Sequence, residues 1–158
     1  MSKLIIIRGN SGSGKSTLAK SLHDYYKDNS FLINQDIIRK QMLNGDDDKT
    51  IDLLIDLLKF GKENYEITIL EGILVLRKYQ RLFDEIEKIF NSEDIKAYYY
   101  DLSFEETLKR HQMRAFKNEF GEEKMRSWFI QRDYLNKFDE VKFDETVDIN
   151  EAIRSIIR

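Results

Sequence analysis

Short apolar runs alternate along this chain with longer stretches in which apolar residues recur at helical spacing. The runs are rich in Ile, Leu, Phe and Tyr and are bounded by polar residues, as buried strands are. The predicted strands are Leu4–Ile7, Phe31–Ile33, Ile67–Leu70, Ile95–Tyr100 and Val141–Phe143. Strands that alternate with helices form a parallel sheet covered on both faces. The pattern therefore predicts an α/β fold in which helices cover both faces of a parallel sheet.

The stretches between these runs predict the helices. Ile51, Leu54, Ile55 and Leu58 recur at i, i+3, i+4 and i+7, which is typical of an amphipathic helix. The acidic run Asp46–Asp48 before it favours a loop and a helix cap over a metal site. The other predicted helices run from 16 to about 27, from about 37 to 44, around 79–90, onward from 103, over 122–136 and onward from 148.

A glycine-rich loop separates the first strand from the first helix. Gly9–Ser16 has the sequence Gly-Asn-Ser-Gly-Ser-Gly-Lys-Ser, which fits the phosphate-binding pattern G-x-x-x-x-G-K-[ST] without a gap. In such a loop, backbone N–H groups and the helix N-terminus surround a phosphate group. Lys15 is expected to contact the β- and γ-phosphates of ATP, and the Ser16 hydroxyl is expected to bind Mg²⁺. The predicted nucleotide-binding residues are Gly9, Asn10, Ser11, Gly12, Ser13, Gly14, Lys15, Ser16 and Thr17.

Composition narrows the possible classes of protein. The chain has 158 residues, of which 41% are hydrophobic and 35% charged, so it is expected to form one globular domain. A net charge of −3 argues against extended binding to nucleic acid. The sequence contains no cysteine and two histidines, which excludes disulfides and disfavours a zinc centre. The N-terminal apolar run is too short for a signal peptide or a membrane span, so a cytoplasmic location is expected.

Ligands of such sheets bind beyond the carboxyl ends of the strands, and Asp36 and Arg39 follow the second strand there. A carboxylate at this place could accept a proton from a hydroxyl group, and an arginine one helical turn later could bind a phosphate on the acceptor. In the alternative interpretation, Asp36 caps the helix and Arg39 is a surface residue. The phosphate-binding loop favours the functional interpretation.

Glu71 and Gly72 follow the third strand at the same edge. The Glu71 carboxylate could hold Mg²⁺ through a water molecule and lie near the acceptor, and Gly72 would allow a ligand to approach closely. The alternative is a surface glutamate beside a turn glycine. The position of Glu71 at the end of an apolar strand favours the first hypothesis.

Arg110 and Arg114 lie late in the helix that starts after Ser103. At i and i+4 they share one helix face, where either guanidinium could offset the charge of a transferring phosphoryl group. The alternative is a solvated basic helix end. Residues 110–128 are expected to form a lid, with Gly121 as a hinge, and the aromatic residues Phe120, Trp128 and Phe129 are expected to pack.

A GTPase would carry two further motifs. Asn136–Asp139 matches N-K-x-D, but it follows predicted helix rather than a strand, and no D-x-x-G follows any predicted strand. The match is therefore interpreted as a coincidence.

Taken together, these motifs resemble the P-loop kinases of nucleosides, nucleotides and small molecules. The segment Asn34–Arg39 is similar to the Asp-x-x-Arg segment of polynucleotide 5′-hydroxyl kinases, and zeta-toxin kinases have a related aspartate. The resemblance implies a five-stranded parallel sheet in the order 2-3-1-4-5 with a helical lid. It also implies that Asp36 acts as general base and that Arg39 contacts an acceptor phosphate.

The expected function is Mg²⁺-dependent transfer of the γ-phosphoryl group of ATP to a hydroxyl group. The expected acceptor is a nucleoside, a nucleotide, an oligonucleotide 5′ end or a similar small metabolite. The alternatives are a sugar-nucleotide kinase like the zeta toxins, and a nucleotide-dependent switch or ATPase. The sequence leaves the acceptor and the oligomeric state open.

Overall fold

The computed structural model of the protein describes residues 2–113 and 120–158. The strands β1 to β5 form one parallel sheet in the order β2-β3-β1-β4-β5. Their bounds are Lys3–Gly9, Ser30–Asn34, Ile67–Gly72, Ile95–Tyr100 and Val141–Phe143. All five predicted strands and the predicted order are confirmed.

The helices α1 to α7 connect or flank these strands. Their bounds are Lys15–Tyr26, Gln35–Ile37, Asp47–Asn64, Leu76–Ile89, Phe104–Gln112, Glu122–Trp128 and Ile149–Ile157. A π-helical turn, Ile38–Met42, continues α2, and short 3₁₀ helices precede β2 and β4. Asp46 caps α3 by accepting a hydrogen bond from the Lys49 N–H, as the acidic run predicted.

The sheet has one core on each face. Leu4 and Ile6 of β1 pack on one side with α3 and α4, while Ile5 and Ile7 pack on the other side with α1 and α7. This alternation follows from the two-residue repeat of a strand, which sends successive side chains to opposite faces. The expected three layers are present.

One charged residue of β1, Arg8, follows the apolar run of this strand and is fully buried. Its guanidinium donates hydrogen bonds to Asp133 Oδ2 and Glu140 Oε2, each at 2.8 Å, and lies over the rings of Phe83 and Tyr99. Because a buried charge is tolerated only when it is paired, these contacts fix the segment 129–140 against the sheet.

The predicted helix over 122–136 is wrong in its second half, since α6 ends at Trp128. Backbone N–H groups that a longer helix would use internally donate to side chains instead. The Asp133 N–H donates to the Tyr99 hydroxyl, and the Leu135 N–H donates to Glu140 Oε1. Arg132 and Asn136 also have positive φ, which no helix accommodates.

Parallel pairing brings the carboxyl ends of the strands to one edge of the sheet. Asn34 of β2 is in register with Glu71 of β3, and Gly9 of β1 is in register with Tyr100 of β4. The glycine-rich loop, the segment after β2 and the end of β3 therefore meet at this edge.

Candidate active site

The glycine-rich loop after β1 has the backbone conformation that its sequence predicts. Gly14, the N-cap of α1, has φ 99°, and Gly12 has φ 83°, a region that residues with a Cβ rarely adopt. A Cβ on Gly12 would also lie 2.6 Å from the Thr107 carbonyl oxygen of α5. Lys15 is buried, and its Nζ donates to the Asn10 carbonyl at 3.4 Å, so its ammonium group lies within the loop.

Residue Ser16 at the start of α1 contacts the end of β3. Its hydroxyl donates a 2.9 Å hydrogen bond to Glu71 Oε1, which also accepts a hydrogen bond from Asn34 Nδ2. Glu71 is 2% exposed, and its second oxygen, Oε2, is buried and accepts no hydrogen bond from the described residues. Buried carboxylate oxygens ordinarily have partners. The hydroxyl of Ser16 and the unsatisfied oxygen of Glu71 are hard oxygen ligands, and they fit Mg²⁺ or its bound water.

Burial raises the pKa of Glu71, and the positive charge of Lys15 and the hydrogen bond from Ser16 offset only part of this rise. An acid with a raised pKa in the folded state binds its proton more tightly when folded. Its contribution to stability therefore falls as the pH rises from the pKa of Glu71 in the unfolded chain, 4.5, through its higher pKa in the folded protein.

We expect the Glu71→Gln variant to gain stability relative to the wild type as pH rises. Gln has the same shape but carries no charge, so the variant lacks this pH-dependent loss. Urea unfolding of both proteins without nucleotide or metal, at several pH values from about 4.5 to 7.5, measures the difference. The exposed Glu63→Gln of α3 is the matched control. A difference that stays constant or falls as pH rises would contradict the raised pKa.

The structure places Asp36 in the first turn of α2, with a side chain that is 42% exposed. The helix is capped by Asn34, whose Oδ1 accepts a 3.0 Å hydrogen bond from the Ile37 N–H. The alternative in which Asp36 is the cap is therefore wrong. Lys40 Nζ lies 3.5 Å from Asp36 Oδ2, so the carboxylate is accessible and faces a cation.

Residue Arg39 is held by a chain of hydrogen bonds. Its Nε donates to Asp47 Oδ1 at 2.8 Å, and the buried Tyr79 hydroxyl donates to the same oxygen at 2.8 Å. Gln35 Nε2 donates in turn to the Tyr79 hydroxyl. Although burial opposes the change, the hydrogen bonds from Tyr79 and Arg39 lower the pKa of Asp47. A carboxylate that stays ionised keeps the guanidinium in place and leaves its terminal nitrogens able to contact a ligand.

Residue Arg110 of α5 lies against the glycine-rich loop. Its Nη1 donates a 2.7 Å hydrogen bond to the Ser13 carbonyl, and its Nε donates to Glu106 Oε1 of the same helix at 3.1 Å. A cation at this place is close to where the loop would hold phosphates. Arg114, its predicted companion, lies outside the described residues.

Helix α6 and the residues just after it also contact the glycine-rich loop. The Asn10 side chain donates to the Ile130 carbonyl at 2.7 Å and accepts from the Ile130 N–H at 2.9 Å. The Met125 side chain of α6 lies 3.2 Å from the position of a Cβ on Gly12. The segment that follows the predicted lid is thus bonded directly to the predicted phosphate site.

Sequence reasoning missed three contributors: the amide of Asn10 as a clamp, the Asp47–Tyr79 support of Arg39, and Asn34 as the helix cap. Only Asn34 had a local signal, since it lies three residues before Ile37, whose N–H it accepts. The other two depend on contacts between residues 32 or more positions apart in the sequence.

The glycine-rich loop, the strand order and the strand-end residues define a nucleotide-binding P-loop protein. The model of the family described as AAA domain matches residues 4–131, and the chain therefore belongs to this family. No relative among curated protein sequences matches the chain at a significant level.

Solved structures share the fold. A gluconokinase from Sinorhizobium meliloti is 16% identical, with a TM-score of 0.70 and 96% of this chain and 87% of that chain covered. The Mycobacterium tuberculosis APS kinase CysC, in complex with AMPPNP and APS, is also 16% identical, with a TM-score of 0.69 and coverages of 99% and 95%. A chain of the Pnkp1/Rnl/Hen1 RNA repair complex is 22% identical, with a TM-score of 0.56 and coverages of 80% and 42%.

The family match and the shared fold confirm the predicted resemblance to P-loop kinases. Among the described residues, no helix has both the length and the apolar character that crossing a membrane requires.

Proposed function

We propose that the protein is an ATP-dependent phosphotransferase that moves the γ-phosphoryl group to a hydroxyl acceptor. The proposed acceptor is a nucleoside, a nucleotide, an oligonucleotide 5′ end or a similar small metabolite. The observation that carries the proposal is the hydrogen bond from Ser16 to Glu71, because it joins the phosphate-binding loop to the end of β3, beside the segment that holds Asp36. Donor and acceptor groups can therefore meet at one edge of the sheet.

The residues at this edge of the sheet have different proposed roles. The amides of the loop and Lys15 bind the β- and γ-phosphates. Arg110 of α5, beside the Ser13 carbonyl, contacts the phosphates and offsets their charge. Asp36 orients the acceptor hydroxyl and takes its proton. Arg39 fixes a phosphate of the acceptor. Phosphoryl transfer needs mainly positioning and charge stabilisation, which is what such groups supply.

The residues Ser16 and Glu71 would hold Mg²⁺, Ser16 directly and Glu71 through a water molecule. When bound, the ion neutralises charge on the β- and γ-phosphates. ATP as donor also suits the cytoplasmic location expected from the sequence. The APS kinase solved with AMPPNP and APS and the gluconokinase support a small-molecule acceptor, since their names record kinases of small molecules.

The release of ADP with and without acceptor tests the proposal. A phosphotransferase with this site should consume ATP slowly alone and much faster when the right hydroxyl compound is added, because the bound acceptor takes the place of water beside the γ-phosphate. The panel should contain nucleosides, 5′-hydroxyl oligonucleotides, sugar nucleotides, gluconate and aminoglycosides. ATP turnover that no member of the panel increases would favour a switch or an ATPase. Stimulation confined to sugar nucleotides would favour an activity like that of the zeta toxins.

We expect Arg39→Ala to raise the KM for a phosphate-bearing acceptor by about 10- to 100-fold, with a smaller change in kcat. The reason is the loss of a charge-assisted contact with the acceptor. Arg39→Lys should recover only part of the affinity, since lysine lacks the planar fork. Steady-state kinetics with a phosphorylated acceptor and its phosphate-free counterpart measure the effect.

A matched control is Arg81→Ala, because Arg81 likewise donates to a surface aspartate, Asp52, at 2.8 Å. It should leave both KM values unchanged. Equal effects of Arg39→Ala on the phosphorylated and the phosphate-free acceptor would show that Arg39 does not bind the acceptor phosphate.

A further inference from the structure

The indole of Trp128, at the end of α6, is 41% exposed although it is the largest apolar side chain. It packs on Phe120 in a T-shaped contact, with 5.1 Å between the ring centroids. Its face lies under Lys40, whose Nζ is 5.5 Å from the indole centroid. The ring is therefore supported by an aromatic neighbour, and a flexible cation lies over its face.

The same lysine reaches the proposed general base. Lys40 Nζ is 3.5 Å from Asp36 Oδ2, and the Lys40 side chain is 50% exposed. One movable ammonium group thus spans the gap between the Asp36 carboxylate and the face of Trp128. A molecule whose hydroxyl lies against Asp36 can place its next ring on the indole once Lys40 turns aside.

Exposed apolar side chains lie on the same helical stretch as Lys40. Ile37, one turn before Lys40 on the same helix, is 47% exposed, and Met42 at the end of the π-helical turn is 61% exposed. Met125 within α6 and Ile130, two residues after α6, fix this segment against the phosphate-binding loop. The indole is thus held by an anchored helix, and an acceptor sugar alone would leave this exposed ring without a partner.

Resting on the proposed function, we propose that Trp128 is the stacking wall of the acceptor site and that the acceptor carries a planar ring, as a nucleoside or nucleotide does. The ring replaces the Lys40 ammonium over the indole, and Lys40 is then available to an anionic group of the acceptor. Stacking of a base on an aromatic side chain strengthens binding by about 5- to 150-fold. Acceptors without a ring, such as gluconate, are expected to be poor.

Tryptophan fluorescence can follow this contact directly, because Trp128 is the one tryptophan of the protein. The experiment follows Trp128 emission in the wild type saturated with Mg²⁺ and AMPPNP while an acceptor is added. The acceptor probes are uridine 3′-monophosphate, which has a free 5′-hydroxyl, and 1,4-anhydroribitol 3-phosphate, which has the same hydroxyl and phosphate but no base. We expect the uridine compound to quench the emission and to bind at least about fivefold more tightly than the abasic compound.

Transfer from labelled ATP to the same two acceptors gives the second measurement. The ratio of their kcat/KM values should fall towards one in Trp128→Leu, be largely kept in Trp128→Phe, and be unchanged in Tyr25→Leu, a control on an exposed aromatic residue of α1. The wild-type titration remains decisive even where Trp128→Leu fails to fold.

Each remaining outcome separates the two proposals. Equal kcat/KM values for the two acceptors with no change in emission would overturn the stacking wall and leave the kinase in place. Quenching by AMPPNP alone, with none on adding acceptor, would assign the indole to the donor base and also overturn it. Quenching by the uridine compound without transfer to any acceptor would keep the wall and overturn the phosphotransferase.

Discussion

Replacing Lys15 with alanine is expected to reduce the kcat/KM for phosphoryl transfer by about 10³-fold or more. Lys15 is the first residue of α1, and its Nζ lies in the loop, at 3.4 Å from the Asn10 carbonyl oxygen. At this place the ammonium group can follow the charge that moves onto the β–γ bridging oxygen during transfer. The backbone amides alone cannot replace it, because they are fixed and carry only partial charge.

The effect should be on the reaction rather than on the fold. Far-UV circular dichroism and the unfolding midpoint test this directly, and Lys20→Ala, an exposed lysine of the same helix, is the control for both rate and stability. If Lys15→Ala retained more than about a tenth of the wild-type kcat/KM, the loop would not be the site of the transferred phosphate.

Replacing Asp36 with asparagine is expected to lower kcat by about 10²- to 10⁴-fold and to change the KM values much less. Asn keeps the size of the side chain and its position in the first turn of α2, but it cannot take the acceptor's proton. The cap of the helix is unaffected because Asn34 supplies it. A large loss of activity would therefore report on chemistry and not on helix stability.

The measurement is single-turnover transfer at saturating ATP and acceptor, which separates the chemical step from product release. Asp56→Asn, an exposed aspartate of α3, should behave as the wild type. Near-normal turnover by Asp36→Asn would remove Asp36 from the role of general base, and Arg39 and Lys40 would then define an acceptor site without one.

The elements that the sequence predicted correctly are those set by local pattern. The apolar run of β1 and the glycine-rich loop after it need no distant partner to be recognised. Burial requires apolar residues in the strand, and the positive φ at Gly12 and Gly14 favours glycine at these two positions. Asp46 was likewise visible as a cap, because its hydrogen bond runs only to Lys49.

The second half of the predicted helix 122–136 failed because local pattern was overridden. Phe129, Ile130 and Leu135 continue an apolar spacing, yet the Asn10 side chain takes both polar groups of the Ile130 backbone. The buried Arg8 then holds Asp133 and Glu140 in place. Neither partner lies near this segment in sequence, so helical spacing alone could not indicate where α6 ends.

The position of Arg39 was predicted only in part for a similar reason. Its spacing from Asp36 follows from the sequence, but its hydrogen bond to Asp47 depends on a chain reversal between them. Asn44 and Gly45 have φ values of 53° and 83°, and the Gly45 N–H donates to the Arg39 carbonyl. This reversal brings α3 back to the π-helical turn, and no local pattern indicates how tightly the chain reverses.

The most direct test of the central claim is transfer of labelled γ-phosphate from ATP to a hydroxyl compound by the purified protein with Mg²⁺. The wild type should place the label on the hydroxyl of at least one acceptor in the panel, and Lys15→Ala and Asp36→Asn should not do so at comparable rates. Label that appears only in inorganic phosphate, at a rate that no acceptor changes, would contradict the claim that a nucleotide site and an acceptor site meet at this edge of the sheet.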